Sequence, residues 1–329
     1  MVWAMAVLGL AILLLAGDAL VRGAVNTSLR LGVPALIVSL TIVAFGTSAP
    51  EMLVSVQAAL RGAPGIALGN VVGSNIANIL LVLGIPAMMT TMHTSEFDTR
   101  KNFVIMLLVS VLFIGLAFVA PFGVPSGLLL LSVLVLVLAF WFIDARNHRR
   151  AQHTAREEAR DARAATLADG FLEDIEGADP DMPWWRIIMF LVLGLIGLPL
   201  GADILVDSAV VIARDFGLSE SVIGLTLVAL GTSLPELATT VMAALRREAD
   251  VALGNVIGSN MFNLLAIIGV AALVSPIPVD PAFLRFDLWV MLGASLLLAP
   301  FVFLRWNMTW PLGVLLTALY LGYVWIVLH

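Results

Sequence analysis

The sequence predicts an all-α membrane protein with ten transmembrane helices, arranged as two inverted five-helix repeats. Three observations support this fold class: an apolar composition, apolar runs long enough to cross a bilayer, and a long internal repeat. Of the 329 residues, 61% are hydrophobic and 12% are charged, whereas soluble domains have about 45–50% and about 25%. The mean hydropathy is +1.05. This composition excludes an ordinary soluble enzyme.

Cysteine content and charge exclude further classes of protein. The chain has no cysteine, which argues against disulfide scaffolds, thiol catalysis and thiolate metal sites. The formal net charge of −6 gives no indication of nucleic-acid binding. Because residues 1–17 lack the positive charge that begins a signal peptide, we expect this stretch to be the first spanning helix.

Apolar runs of roughly 20 residues, the length of helix that a bilayer core requires, divide the chain into ten spans. They cover residues 2–28, 33–60, 65–90, 101–120, 124–143, 184–213, 218–246, 249–275, 286–304 and 309–328. One long polar segment separates five spans from the other five. We therefore expect a first repeat over 1–143, a linker loop over 144–183 and a second repeat over 184–329.

The distribution of Lys and Arg predicts the orientation, because cytoplasmic loops hold the excess of these residues. If the chain has ten spans, thirteen Lys and Arg residues lie on one side of the membrane. Three, Arg61, Arg214 and Arg285, lie on the other. The sequence thus predicts a multi-pass protein of the plasma or inner membrane. Both termini should lie outside, and the polar loop should lie in the cytoplasm.

An internal repeat is the strongest signal in the chain. Residues 41–84 align without a gap to residues 226–269 at a constant offset of 185, with 24 identities in 44 positions. Because each half has an odd number of spans, the second copy should enter the membrane from the opposite side. Inverted repeats of this kind are typical of secondary transporters, whose substrate site lies near the midplane between the halves.

The motif GTSxPE occurs once in each repeat, at 46–51 and 231–236. An ionisable group at membrane depth costs about 2.5–3.5 kcal/mol on insertion scales, so Glu51 and Glu236 are candidates for a functional site. The Thr and Ser of the motif lie four and three residues before the Glu, so their hydroxyls share a helix face with the carboxylate. These hydroxyls belong to Thr47, Ser48, Thr232 and Ser233.

Proline in the same motif predicts freed backbone carbonyls. Pro50 and Pro235 have no N–H, and each ring clashes one turn back, near Gly46 and Gly231. In a bilayer such carbonyls persist where they line a cavity or meet another partner. Two interpretations of the prolines are equally compatible with the sequence. Either the freed carbonyls bind a cation, or the helix is simply kinked and nearby hydroxyls bond to these carbonyls.

A second motif, GNVxGSNxxN, occupies 69–78 and 254–263. Its Ser and last Asn lie one turn apart and add hydroxyl and amide oxygens from Ser74, Asn78, Ser259 and Asn263. We expect its glycine pairs to allow close helix packing. We expect its inner asparagines, Asn70, Asn75, Asn255 and Asn260, to cap or cross-link helices.

The candidate site therefore offers two carboxylates together with hydroxyl, amide and carbonyl oxygens, and it has neither His nor Cys. Such hard oxygen ligands suit calcium, magnesium, manganese or sodium rather than zinc or copper. Two carboxylates match the charge of one divalent ion. A proton can compete with that ion, so proton-coupled exchange stays open.

The two motifs resemble the α repeats of the cation/calcium antiporter superfamily, and in particular its sodium/calcium exchanger branch. The resemblance covers both halves. It implies a secondary active antiporter, not an enzyme, that exchanges sodium for calcium by alternating access and needs no cofactor. The expected partners are calcium and sodium ions and membrane lipid, without nucleic acid or nucleotide, and the oligomeric state is left open.

The resemblance also implies a set of ion ligands. Glu51 and Glu236 would be the shared calcium ligands, each also able to face a sodium ion. The remaining implied ligands are Thr47, Ser48, Ser74, Asn78, Thr232, Ser233, Ser259, Asn263 and the backbone carbonyls of Ala44 and Ala229. Some relatives have an acidic residue at the position of Asn263, so the amide here makes potassium cotransport less expected.

Three other functions can be weighed. A proton/calcium antiporter of the same superfamily usually has a Glu after its GN pair, where this chain has Val. An intramembrane protease needs HExxH or a paired aspartate motif, and neither is present in the sequence. A passive channel would show neither saturation nor counter-transport. Asp18 and Asp203, which are equivalent in the repeat, either line the ion path or bond within their helices.

Overall fold

The computed structural model describes residues 2–93, 99–119, 121–163, 179, 182–216 and 229–328. These residues are almost entirely helical. Within them no β-strand forms, and β pairing is limited to two isolated bridges. The all-α class predicted from composition is therefore confirmed for the part of the chain that is described.

We number the helices in chain order and treat runs that continue through a π-helical turn as one helix. The first half contains α1 Val2–Leu31, α2 Ala35–Thr47, α3 Ala49–Leu60, α4 Gly65–Met89, α5 Arg100–Val119 and α6 Val124–Arg163. The second half contains α7 Trp184–Asp215, α8 Ala229–Thr232, α9 Leu234–Leu245, α10 Ala249–Val274, α11 Phe283–Phe303 and α12 Trp310–Leu328.

Eight of the described helices are long and apolar enough to cross a membrane, and the bent pair α2–α3 provides a ninth candidate. The predicted span 218–246 falls partly outside the described residues, and α8 and α9 occupy its remainder. The count of ten spans and its inverted arrangement thus remain predictions.

Helix α6 differs from the predicted span at 124–143, because it continues through Arg163. The polar segment predicted as a linker loop at 144–183 therefore begins as helix. An apolar run predicts only the part of a helix that lies in the membrane. The helix itself can continue beyond that part where the residues favour helix. Residues 151–163 are rich in Ala, Arg and Glu, which are strong helix formers.

The second half repeats the elements of the first at the offset of the sequence repeat. The break between α2 and α3 at Ser48 corresponds to the break between α8 and α9 at Ser233. The two isolated bridges correspond as well. Met92, after α4, pairs with Met308, before α12, and Ile277, after α10, pairs with Phe122, before α6. Each half thus pairs the segment after its GN helix with the segment before the last helix of the other half.

Helices α1 and α7 cross at backbone-to-backbone distance because glycines line the crossing. A Cβ atom added at Gly201 would lie 2.8 Å from the backbone nitrogen of Leu13 and 3.0 Å from the carbonyl of Gly9. A Cβ atom at Gly194 would lie 2.9 Å from the Cα atom of Leu20. Small residues at such crossings allow the close packing on which helix association in membranes depends.

The GN motif glycines of α10 pack as predicted. A Cβ atom at Gly258 would lie 2.7 Å from the Leu40 carbonyl, and one at Gly254 would lie 3.0 Å from the Leu36 carbonyl. Their counterparts in α4, Gly69 and Gly73, have no such backbone neighbour among the described residues. By the repeat offset, those neighbours would fall at 221 and 225, which lie outside the described residues.

We expect Gly201→Ala to destabilise the fold, because the added methyl group meets backbone atoms of α1 that cannot move aside. Overpacking of this kind costs about 1–3 kcal/mol. Gly115→Ala in α5 is the matched control, since a Cβ atom there meets no described atom within 4 Å. Thermal unfolding in detergent should show a lower melting temperature for Gly201→Ala alone. Equal melting temperatures for both variants would contradict the tight α1–α7 crossing.

Candidate cation site

Each GTSxPE motif breaks its helix just before the Glu. Ser48 leaves the helical region with φ −81° and ψ 3°, and the chain bends by 44° between α2 and α3. Ser233 does the same with φ −91° and ψ 4° before α9. Pro50 and Pro235 lie in the first turn of the new helix, where the missing N–H leaves no hydrogen bond unmade. The prolines therefore start a new helix whose first turn carries the Glu side chain.

The carbonyls predicted as ligands differ between the two halves. The Ala44 carbonyl accepts hydrogen bonds from the Ser48 N–H at 3.0 Å and from the Thr47 hydroxyl at 3.3 Å. A carbonyl oxygen has two lone pairs, so a cation can bind there only if the Thr47 hydroxyl turns away. In the other half, the Ser233 N–H bonds to the Leu230 carbonyl instead of the Ala229 carbonyl.

The two GN helices carry π-helical turns that begin at the last Asn of the motif. In α4 the turn covers Asn78–Val82, and in α10 it covers Asn263–Ile267. π-turns inside α-helices are rare and frequent at functional sites. The extra residue per turn moves the Asn side chain relative to the Ser one turn earlier, which spacing alone does not predict.

The carboxyl groups of Glu51 and Glu236 come together although each belongs to a different half. Both side chains are completely buried. They approach closely enough that the Glu236 charge acts directly on Glu51. The Ser48 hydroxyl donates a hydrogen bond to Glu236 Oε1 at 3.3 Å, which links the first half to the acid of the second.

Most of the buried side-chain polar atoms that have no hydrogen-bond partner in the described residues belong to the two motifs. Within the described residues, both oxygens of Glu51 and Oε2 of Glu236 have no partner. The same holds for the hydroxyls of Ser74 and Ser233, for Oδ1 of Asn78, and for both amide atoms of Asn263. More than nine-tenths of buried polar groups in proteins are hydrogen-bonded, so this cluster indicates a ligand.

Two further predicted ligands, Thr47 and Thr232, contact residues of the opposite half. The Thr47 hydroxyl lies 3.4 Å from the Ser259 hydroxyl of α10. The Thr232 hydroxyl donates to Asn70 Oδ1 of α4 at 3.3 Å. Ala229 begins α8, whose last residue is Thr232.

The inner asparagines cross-link the two GN helices. Asn75 donates to the Asn260 carbonyl at 3.2 Å, and Asn260 donates to the Asn75 carbonyl at 3.4 Å. These residues are equivalent in the repeat, so a reciprocal contact of this type is expected at a pseudo-twofold axis. Asn78 also donates to Asn260 Oδ1 at 3.0 Å, whereas Asn263 has no corresponding bond.

Two hydroxyls that were not among the predicted site residues, those of Ser55 and Thr240, bind the first asparagine of each GN motif. Asn70 donates to the Ser55 hydroxyl at 3.0 Å, and Asn255 donates to the Thr240 hydroxyl at 3.1 Å. Each hydroxyl lies one turn after its Glu, on the same helix face. The four-residue spacing from Glu to hydroxyl occurs in both halves and could have indicated these residues from the sequence.

Asp18, for which the sequence left two roles open, forms ion pairs. It contacts Arg22 one turn along α1 at 2.9 Å and Arg246 at the end of α9, whose Nε donates to Asp18 Oδ1 at 2.6 Å. Its repeat equivalent, Asp203, has Asp207 as its charged neighbour. Asp18 is thus engaged with an arginine of the other half.

The donor set suits a hard cation. It offers carboxylate, hydroxyl and amide oxygens, and in the described part of the chain no group of three or more His, Cys, Asp or Glu side chains forms a metal site. A charge of −2 from the two acids and several neutral oxygens fits calcium, which takes 6–8 oxygen ligands, as well as sodium.

Comparisons with known proteins agree with this chemistry. The sodium/calcium exchanger protein family matches residues 1–143 and 186–329. The sodium/calcium exchanger MaX1 of Methanosarcina acetivorans is 32% identical over 96% of this chain and 95% of its own length. The inner membrane protein YrbG of Escherichia coli is 36% identical over 90% of this chain and 87% of its own length.

A solved structure of the sodium-calcium exchanger NCX_Mj, soaked with sodium and strontium ions, is also similar. It matches with a TM-score of 0.79 and 30% identity, over 98% of this chain and 97% of the other. The resemblance that the two motifs indicated is confirmed. The chain belongs to the sodium/calcium exchanger family of membrane transporters.

Proposed function

We propose that this protein exchanges sodium for calcium across the membrane by alternating access, with both ions using one site between the halves. One observation carries the proposal: the buried acids Glu51 and Glu236, one from each half, meet where the unpartnered polar atoms cluster. The family and the similarity to NCX_Mj support sodium and calcium as the transported ions.

The proposed ligands are the twelve residues that the family resemblance implies. Glu51 and Glu236 neutralise a divalent ion. The unpartnered oxygens of Ser74, Ser233 and Asn263 supply neutral ligands. Thr47, Ser48, Thr232, Ser259, Asn78 and the carbonyls of Ala44 and Ala229 complete the set.

Coupling follows from the charge of the site. A ligand shifts a conformational equilibrium only through its different affinity for the two states. An empty site with two buried charges resists passage through a closed apolar barrier, whereas a site filled by calcium or sodium is compensated and can pass. Calcium and sodium then share the same oxygens in turn, which couples their movements without ATP.

The proposed architecture is two inverted five-helix repeats over 1–143 and 184–329, joined by the segment 144–183. The matching breaks, π-turns and bridges of the two halves support the repeat. The reciprocal contact between Asn75 and Asn260 supports a pseudo-twofold axis between the halves.

The proposed membrane orientation has both termini outside and the linker in the cytoplasm. Tryptophan is enriched at both membrane interfaces. Exposed tryptophans lie at the ends of spans predicted to be outside, Trp3, Trp289 and Trp325, and at the ends predicted to be inside, Trp184, Trp185, Trp306 and Trp310. This distribution supports two interfaces at the predicted ends of the helices.

We expect Glu51→Gln and Glu236→Gln to abolish exchange while leaving the fold intact, because an amide is cheaper to bury than a carboxylate. In reconstituted vesicles, sodium-gradient-driven uptake of calcium-45 should fall roughly a hundredfold or more, which corresponds to about 2.8 kcal/mol. Glu248→Gln is the matched control, since Glu248 precedes α10 and lies outside the site. This variant should retain uptake.

The same assay distinguishes the alternatives. Uptake driven only by a pH gradient, with no sodium requirement, would contradict sodium exchange and favour a proton/calcium antiporter. Normal sodium-driven uptake in both Gln variants would show that the ions bind elsewhere. A flux that neither saturates nor shows counter-transport would indicate a channel.

A further inference from the structure

Asn70 and Asn255 make the same three contacts in the two halves, and one contact of each asparagine joins the opposite repeats. Asn255 donates to the Glu236 carbonyl at 3.4 Å and to the Thr240 hydroxyl. Its Oδ1 accepts a hydrogen bond from Thr47 of the other half at 3.2 Å. All of these groups except the Glu236 carbonyl belong to side chains.

The mirror arrangement holds at Asn70. Its amide donates to the Glu51 carbonyl at 3.2 Å and to the Ser55 hydroxyl, and its Oδ1 accepts from Thr232. Each asparagine therefore uses its donors on the helix that carries one acid. It uses its acceptor on a proposed ligand from the opposite half.

We propose that Asn70 and Asn255 are positioning residues that orient the ligating threonines and align them with the acid of the opposite repeat. A hydroxyl has one proton and two lone pairs. When Thr47 donates its one proton to Asn255 Oδ1 rather than to the Ala44 carbonyl, the lone pairs of that hydroxyl remain free for a cation. The amide protons of Asn255 meanwhile fix the backbone that carries Glu236. This inference rests on the proposed function.

Double-mutant cycles test the crossed pairing. We expect Asn255→Ala to raise the KM for calcium at least several-fold and to lose most of this effect when Thr47 is already Ala. Asn70→Ala should show the same coupling with Thr232→Ala. The exchanged pairs, Asn255 with Thr232 and Asn70 with Thr47, are the matched controls and should be additive, as contact-free pairs usually are.

A merely structural role for the asparagines would lower the amount of folded transporter and hence kcat, with no crossed pattern in KM. Additive effects in all four cycles would overturn the proposal. Wild-type protein that fails to take up calcium against sodium would instead overturn the proposed function, so the two failures are distinguishable.

A different observation carries a second inference: an ion pair joins the two halves, and its counterpart at the repeat offset is absent from the described residues. Asp18 of α1 pairs with Arg246, which follows the last residue of α9. The equivalent residues at the repeat offset are Asp203 of α7 and Arg61, which follows α3. No ion pair joins Asp203 to Arg61 among the described residues.

The local backbone at the two arginines is the same, so a backbone difference does not explain the asymmetry. Arg61 and Arg246 both end their helices near φ −85°, and the following residues have positive φ, 74° at Gly62 and 61° at Arg247. Asp203 and Arg61 are both exposed in the described structure. The two Asp and Arg positions are thus equivalent in the repeat, yet only Asp18 and Arg246 form an ion pair in the described structure.

We infer that the two ion pairs form alternately: Asp18–Arg246 in the state seen here and Asp203–Arg61 in the state that opens to the opposite side. In alternating access one repeat moves against the other around a fixed site, so inverted halves that make different contacts in one state would exchange those contacts in the other. The closed side would then be held by an aspartate of α1 or α7 and by the arginine that follows α9 or α3.

Cysteine pairs test this exchange directly, because the natural chain contains no cysteine. A short, reducible thiol crosslinker should join Asp18→Cys with Arg246→Cys and, during turnover, also Asp203→Cys with Arg61→Cys. Each crosslink should stop exchange, and reduction should restore it. The mismatched pair Asp18→Cys with Arg61→Cys is the control and should not crosslink.

Failure of the 203–61 pair to crosslink, while the 18–246 pair does, would overturn the alternation. The crosslink is read by mass spectrometry and does not depend on which ions are carried. A protein that transports other ions would therefore still show both crosslinks.

Discussion

Two carboxylates buried against each other dominate the energetics of this protein. An isolated charge in an apolar medium costs on the order of tens of kcal/mol in the Born limit, and Glu51 and Glu236 are both completely buried and within reach of each other. The surrounding hydroxyls and amides lower this cost only in part, since many of their atoms have no partner in the described protein. A cation with a charge of +2, or cations whose charges together approach it, would supply this compensation in the proposed function.

The repeat explains why the two acids meet. Each half builds a broken helix that ends a turn before its Glu and a GN helix with a π-turn at its last Asn. Placing two such units around the proposed pseudo-twofold axis brings one acid from each half to the other. The asparagines near this axis, from Asn70 to Asn260, join the halves through hydrogen bonds and leave three of the four carboxylate oxygens without a partner in the described residues.

Much of this arrangement could be predicted from sequence, because it depends on local chemistry that repeats. Spans follow from apolar length, and the breaks at Ser48 and Ser233 follow from Pro50 and Pro235. The proximity of the acids was predicted only through the repeat and the family resemblance, since 185 residues separate them.

Other features depend on tertiary contacts and could not be predicted. The π-turns at Asn78 and Asn263 change helix register through packing, which spacing does not encode. The Ala44 carbonyl, which the family resemblance implies as an ion ligand, accepts hydrogen bonds from the Ser48 N–H and the Thr47 hydroxyl. Which arginine meets Asp18 depends on how the two halves pack in one conformational state.

The position of a bound ion tests the central claim most directly. Crystals of this protein soaked with strontium, a heavy analogue of calcium, should give one dominant anomalous peak between the carboxylates of Glu51 and Glu236. The peak should disappear in Glu51→Gln crystals that are otherwise unchanged. A peak elsewhere in the molecule, or packed side chains between the two carboxylates, would contradict the shared cation site.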